Sequence, residues 1–297
     1  MVRQFALRSL QSAFSVGPGY ESQPPGAFFD DDAPRGYFID FRAKTRTASA
    51  HSPARLLPAD LAQLALGWWD CALGGEASAS ASFEAAAALL EEQGRERSGE
   101  LLWTYAVPVP KYRLEPPWCS ALAQGQAASV FVRAYMRGGD ERFAVAARKA
   151  IAPLLPASTS GLVAVTPDGV VPEEAPSDPP SLILNGWIYA LWGLWDVAVG
   201  LGDRDCRAVF EDSARCLRRT LERYDVGWWS RYSLYPHPLP DLAKPFYHRL
   251  HVDQLEVLYR LLGYRELLDA SRRWARYDTV PHRLAVLAQK VLFVSRI

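Results

Sequence analysis

The 297-residue chain carries 33 Lys+Arg against 33 Asp+Glu, so neither nucleic acid nor an anionic membrane surface is an expected partner. Apolar residues make up 49% and charged residues 22%, an ordinary globular balance, and no apolar run reaches the roughly eighteen residues of a membrane-spanning helix. Charge interrupts residues 1–8 before a secretory apolar region could form, so the chain reads as cytoplasmic.

Residues 1–57 lack helical periodicity. Gly17-Pro18-Gly19, Pro24-Pro25-Gly26 and Asp30-Asp31-Asp32 are turn or loop chemistry, and Gly36-Tyr37-Phe38-Ile39-Asp40-Phe41 reads as a short strand. From Pro58 onward the pattern is helical and it repeats. Gly75, Gly139, Gly202 and Gly263, spaced 64, 63 and 61 residues apart, each follow an apolar helix and precede an amphipathic one. Such a period predicts about four stacked αα-hairpins, a mainly α fold curving into an incomplete (α/α) toroid over residues 58–297. Inner helices are expected over 61–73, 119–136, 181–199 and 248–261, and outer ones over 80–95, 140–153, 204–222 and 264–276. The long connectors 97–117, 155–180 and 223–247 should meet at one end and carry the site. Within the middle one, residues 161–171 predict a β-hairpin turning at Asp168-Gly169. Cys71, Cys119, Cys206 and Cys216 lack metal-ligand spacing, fall in segments read as helical, and are expected as reduced thiols.

Three stretches carry candidate chemistry. Glu173 and Glu174 stand in a loop stiffened by Pro176, Pro179 and Pro180 that leads into a helix bearing Asn185 and Gly186. A solvated pair of loop acids is the plain reading; a carboxylate fixed at the mouth of the bundle is the functional one. Trp118 opens the second inner helix, whose Ala121 and Gly125 suit close helix packing, while at most one of Gln124 and Gln126 faces a cavity. His248, His251, Leu255 and Leu258 form one helical stripe, predicted to face inward. No third ligand accompanies the two histidines, so no metal is expected, and hydrogen-bonded imidazoles in a polar cavity are.

These stretches resemble the D-glucuronyl C5-epimerases, enzymes that invert C5 of glucuronate units in polysaccharides. Ser120-Ala121-Leu122-Ala123-Gln124-Gly125-Gln126 is similar to their Ser-Ala-Met-Ala-Gln-Gly-Gln block, and Glu173-Glu174 with Leu184-Asn185-Gly186 to their Glu-Glu-Tyr-Pro…Leu-Asn-Gly run. Tyr224, Asp225, Gly227, Tyr232, Tyr247, His248, His251, Gln254 and Leu255 fall on their C-terminal block. The likeness spans about residues 100–278, with 36–41 as a weaker echo of a Gly-Tyr-x-Ile-Asp-Phe run, and corresponds to the family's helical domain. The β-rich domain that precedes it in animal epimerases is not expected within these residues. Ala175 stands where the family has a tyrosine, and Tyr235 where it has an arginine.

The resemblance implies C5 proton abstraction and reprotonation in a uronic-acid polysaccharide, an isomerase reaction of glycosaminoglycan biosynthesis with no cofactor. Glu174 and Tyr247 become the opposing acid–base pair, and Tyr232, His248 and His251 stabilise the intermediate. Asn185 and Gln124 contact sugar hydroxyls, Arg249 or Arg231 supplies the cation missing at Tyr235, and Trp118 completes the binding set. Three alternatives stay open: a uronate lyase on the same fold, a glycan-binding relative without activity, and, least favoured, a structural toroid with no ligand. Oligomeric state is also open, a homodimer among the options.

Overall fold

The computed structural model describes residues 35–47, 56–294 and 296. The turn chemistry expected at Gly17-Pro18-Gly19, Pro24-Pro25-Gly26 and Asp30-Asp31-Asp32 lies outside the described residues. After α1 (Arg42–Thr47), four helical hairpins follow: α2 (Pro58–Leu73) with α3 (Ala79–Gln93), α4 (Ala121–Gly138) with α5 (Glu141–Ile151), α6 (Leu184–Gly200) with α7 (Arg204–Thr220), and α8 (Pro245–Leu262) with α9 (Arg265–Ala275). Helix α10 (Val280–Val294) closes the chain. Each hairpin packs on itself, and α2, α4, α6 and α8 contact one another in that order, forming the inner layer of an incomplete (α/α) toroid.

The repeated glycines do what their spacing predicts. Gly75, Gly139, Gly202 and Gly263 have φ of 84°, 69°, 66° and 72°, the left-handed region that an L side chain enters at a cost. Asp140 and Asp203, the residues after two of them, accept backbone N–H bonds from Arg142 and Cys206 and so cap the outer helices α5 and α7.

Helices α4 and α6 are buried almost throughout and approach very closely. A Cβ at Gly125 would stand 2.7 Å from the Ala190 Cα, and one at Gly193 would overlap the Gly125 backbone. The small residues of α4 therefore serve helix packing. Across this interface the buried Arg133 Nη1 lies 2.5 Å from Asp196 Oδ2, with the guanidinium 5.0 Å from the Tyr37 ring centroid. Tyr37, Phe38, Ile39 and Phe41 are fully buried in the same core. The segment expected as a strand over 36–41 is thus an extended core strip with a single bridge residue at Ile39.

Three small antiparallel pairs decorate the connectors: β1 (Arg95–Arg97) with β2 (Glu100–Leu102), β3 (Thr104–Tyr105) with β4 (Trp118–Cys119), and β5 (Val163–Thr166) with β6 (Gly169–Pro172). The last is the expected hairpin, but Thr166 pairs with Gly169, so the turn residues are Pro167 and Asp168, one position earlier than the sequence reading. Strand β4 also takes Cys119, expected in a helix, and delays the start of α4 to Ala121. Among the described residues no helix is long and apolar enough to cross a membrane.

Candidate active site

The three connectors converge. Tyr232 of the third donates to Glu174 Oε1 of the second at 3.3 Å, and Lys111 of the first lies 3.2 Å from Asp241 Oδ2 of the third. Beside Glu174 opens a cavity of about 370 Å³, whose lining includes Glu174, Asn185, Tyr247, Trp118, Tyr189 and Lys44.

The two adjacent carboxylates have separate tasks, and neither is a solvated loop acid. Glu173 is buried: its Oε2 accepts from the Ser181 amide (2.7 Å) and hydroxyl (2.8 Å), and its Oε1 from the Leu182 amide (2.9 Å). Leu182 has φ of 47°, so this clamp fixes a left-handed residue and starts α6 at Leu184, three residues later than expected. Glu174 turns to the cavity instead. Asn185 Nδ2 donates to its Oε2 at 3.2 Å, opposite the Tyr232 bond. Burial raises the Glu174 carboxyl to about 7, although the Lys111 ammonium and the Tyr232 and Asn185 bonds pull the other way. Burial, with Glu174 and Tyr247 adding to it, lifts the Tyr232 phenol well above its ordinary 10, so Tyr232 is a neutral donor.

Gly186 makes room for this carboxylate, since a Cβ there would overlap the Glu174 side chain. Gly186→Ala should therefore push the 173–175 loop off α6. We expect a stability loss of about 1–3 kcal/mol in urea unfolding, together with loss of the Glu174 geometry that any activity assay would register.

Tyr247 lines the same cavity and meets the Tyr232 ring edge-on at 4.9 Å between centroids. Trp118 stacks on Tyr105 at 4.5 Å and 13°, its indole N–H given to the Val107 carbonyl, which presents a flat aromatic wall to the cavity.

Other predicted residues sit elsewhere. Gln124 is fully buried and donates to the Leu101 and Ala150 carbonyls, away from the cavity; Gln126, bonded to the cavity-lining Gln63, is the one nearer to it. His248 and His251 are buried behind the wall. His248 stacks on Trp229 at 3.8 Å, gives Nε2–H to the Trp274 carbonyl and presents Nδ1 to Ser230 Oγ at 2.8 Å; His251 Nδ1 lies 3.1 Å from the same hydroxyl. Burial lowers His248 to about 4 and His251 well below 6.5, so both are neutral packing groups and no cations for an intermediate. The inward stripe on α8 is the neighbouring one, which carries Tyr247 and Leu250.

Arg249 pairs with Asp278 at 3.8 Å and is not among the cavity-lining residues, nor is Arg231, whose amide bonds the Tyr224 carbonyl. Tyr235 packs on Tyr112 and His237 in a small cluster that also buries Ala175. The cations near the site are lysines that the sequence reading did not single out. Lys111 sits 4.4 Å from the Tyr232 ring centroid, and Lys44, paired with Asp60, lines the cavity. Among the described residues no group of three or more His, Cys, Asp and Glu could hold a metal.

The D-glucuronyl C5-epimerase C-terminus family profile matches residues 97–276, a span that contains Lys111, Glu174, Asn185, Tyr232 and Tyr247. The chain belongs to this family. It is 31% identical over 220 residues to the D-glucuronyl C5-epimerase of Caenorhabditis elegans, covering 67% of this chain and 35% of that one. An uncharacterized protein of Methanocaldococcus jannaschii is 29% identical over 180 residues, covering 59% and 57% respectively. The chain thus spans between about a third and three fifths of the length of these relatives. Among solved structures, the unsaturated glucuronyl hydrolase of Bacillus sp. GL1, responsible for the degradation of glycosaminoglycan, superposes with a TM-score of 0.52 at 14% identity over 80% of this chain and 64% of that one. That likeness concerns the fold, the helical toroid on which this C5-epimerase family member builds its cavity.

Proposed function

We propose that the chain inverts C5 of a uronate unit, D-glucuronate to L-iduronate in a polysaccharide, by proton removal and return. The observation that carries the reading is Glu174: a carboxyl raised to about 7, held from both oxygens, in the wall of a cavity that also contains Tyr247. A base whose pKa lies near the working pH has both the protonation state and the driving force for proton transfer.

The C5 hydrogen lies α to the uronate carboxylate. In the proposed step Glu174 takes that proton, and the C5–H electron pair moves into the carboxylate as an enediolate-like dianion. The Tyr247 hydroxyl then gives a proton to the opposite face of C5, and solvent re-establishes both groups. Tyr232, kept neutral, holds Glu174 in orientation; Trp118 offers a stacking face to a pyranose. Because the active form carries an unprotonated Glu174, the rate should rise with pH through about 7 and level off above it. Lys111 opposes the upward shift of Glu174, so Lys111→Met should move that limb to higher pH. An initial-rate pH profile of wild type against Lys111→Met checks both statements, and an unmoved limb contradicts the assignment of Glu174 as base.

The same abstraction followed by loss of the 4-O substituent would be lyase chemistry. Product analysis separates the two: iduronate from inversion, an unsaturated uronate from elimination. Neither product, with glycan binding retained, would leave the binding-protein reading.

A further inference from the structure

The site cavity has a larger neighbour. A cleft of about 620 Å³ opens between the β1–β2 hairpin and the loop 157–162, and Trp118 lines both spaces. The β3–β4 ribbon is the partition. Side chains alternate along its strands, so the cross-strand pair Tyr105 and Trp118 walls the site cavity, while the next pair, Thr104 and Cys119, walls the cleft. Pro176, two residues along the chain from Glu174, lines the cleft as well. A saccharide held at Glu174 thus meets this cleft across Trp118.

The same alternation on β1 brings Arg95 and Arg97 to the cleft and leaves Glu96 to Lys149 of α5, 2.8 Å away. Among the described residues neither arginine is in an ion pair. Arg95 gives only Nη1, to the Glu92 and Gly94 carbonyls, and the exposed Arg97 guanidinium has no hydrogen-bond partner among them. Glu100 is the one carboxylate among the described lining residues, and it is occupied by the loop. Its Oε1 accepts from the Ser158 hydroxyl at 2.6 Å and its Oε2 from the Ser160 hydroxyl, while the Ser160 amide bonds Ser158 Oγ at 3.1 Å. These bonds fasten the loop to β2, so the cleft is already shaped in the free protein. Two guanidinium groups against one carboxylate leave it positive. The exposed hydroxyls of Thr104 and Thr159 also line it and have no partner among the described residues.

We infer that this cleft is a second saccharide subsite, in which Arg95 and Arg97 pair with the carboxylate of a further acidic unit and Thr104 and Thr159 bond its hydroxyls. That one sugar chain occupies both spaces, passing over Trp118, rests on the proposed function; that the cleft takes an acidic saccharide does not.

The probe is a tetrasaccharide of alternating glucuronate and N-acetylglucosamine, titrated calorimetrically beside its carboxyl-reduced form. Wild type should prefer the acidic form, with the preference falling as salt rises. Arg97→Gln should weaken the acidic form about fivefold, and Arg95→Gln with Arg97→Gln about twentyfold, each leaving the reduced form as tightly bound as before. Arg97 is exposed and outside any ion pair among the described residues, so Arg97→Gln should melt like wild type and carries the test alone. A folded Arg97→Gln protein that binds the acidic form as tightly as wild type overturns the subsite, as does a wild type with no preference for that form. Proton exchange at C5, followed in the same samples, keeps the two claims apart. Exchange with arginine-independent binding removes the subsite alone; arginine-dependent binding without exchange supports the subsite and counts against the reaction.

Discussion

Glu174→Gln should lower the C5 exchange rate by about 10²–10⁴ while leaving the folded structure intact. The magnitude is that of a positioned general base, which glutamine cannot replace because its amide does not accept a proton near neutral pH. The fold should tolerate the change. Glutamine keeps the shape that packs against Gly186 and relieves the wall of a charge that burial already disfavours. Its carbonyl can still accept one of the two bonds now given by Asn185 and Tyr232. Exchange rate and thermal melt measured on the same preparation check the pair of statements. A variant exchanging within a few-fold of wild type would remove Glu174 from the chemistry.

Arg133→Met is expected to give the largest loss of stability, about 3–5 kcal/mol in urea unfolding. Arg133 and Asp196 are both fully buried, and the pair bridges α4 and α6. Removing the guanidinium strands the Asp196 carboxyl, which burial pushes up from its ordinary value while Arg133 holds it down. It also takes away the cation over the Tyr37 ring that fastens the 35–41 strip to the helical core. The double change Arg133→Met with Asp196→Leu should recover most of the loss, because two apolar groups need no compensation there. If the single variant unfolds within 1 kcal/mol of wild type, about the error of such a comparison, the ion pair is not what joins these helices.

The architecture was legible because two local signals coincide. A glycine at each left-handed cap marks where a helix stops, and the following Asp140 or Asp203 marks where the next begins. Helix α10 escaped notice because its buried stripe runs Val286, Lys290, Phe293, and a lysine in the middle disguises an apolar face. The grouping of the candidate site was legible where a specific motif carries it: Glu174, Asn185, Tyr232, Tyr247 and Trp118 do come together.

Periodicity was less informative about direction. It identified a stripe of His248 and His251 but could not tell the lumen from the α9 side of the hairpin, and the stripe faces Trp274. One position over, Tyr247 and Leu250 face the cavity. Gln124 and Gln126 repeat the lesson on α4. The lysines were invisible for another reason. Lys111 and Lys290 come from distant segments, and only the fold brings both to one carboxylate, Asp241. Ala175, which stands where the family has a tyrosine, is buried against Tyr112 and Ile183, so a tyrosine placed there meets an occupied cluster.

The most direct measurement is solvent hydrogen exchange at C5: the protein incubated in D₂O with a glucuronate-containing oligosaccharide, the product read by NMR and mass. The account predicts one deuterium at C5, accompanied by iduronate, entering faster as pH rises through about 7 and lost in Glu174→Gln. Bound oligosaccharide that keeps its C5 hydrogen at every pH, in a wild-type protein that melts cooperatively, would contradict it.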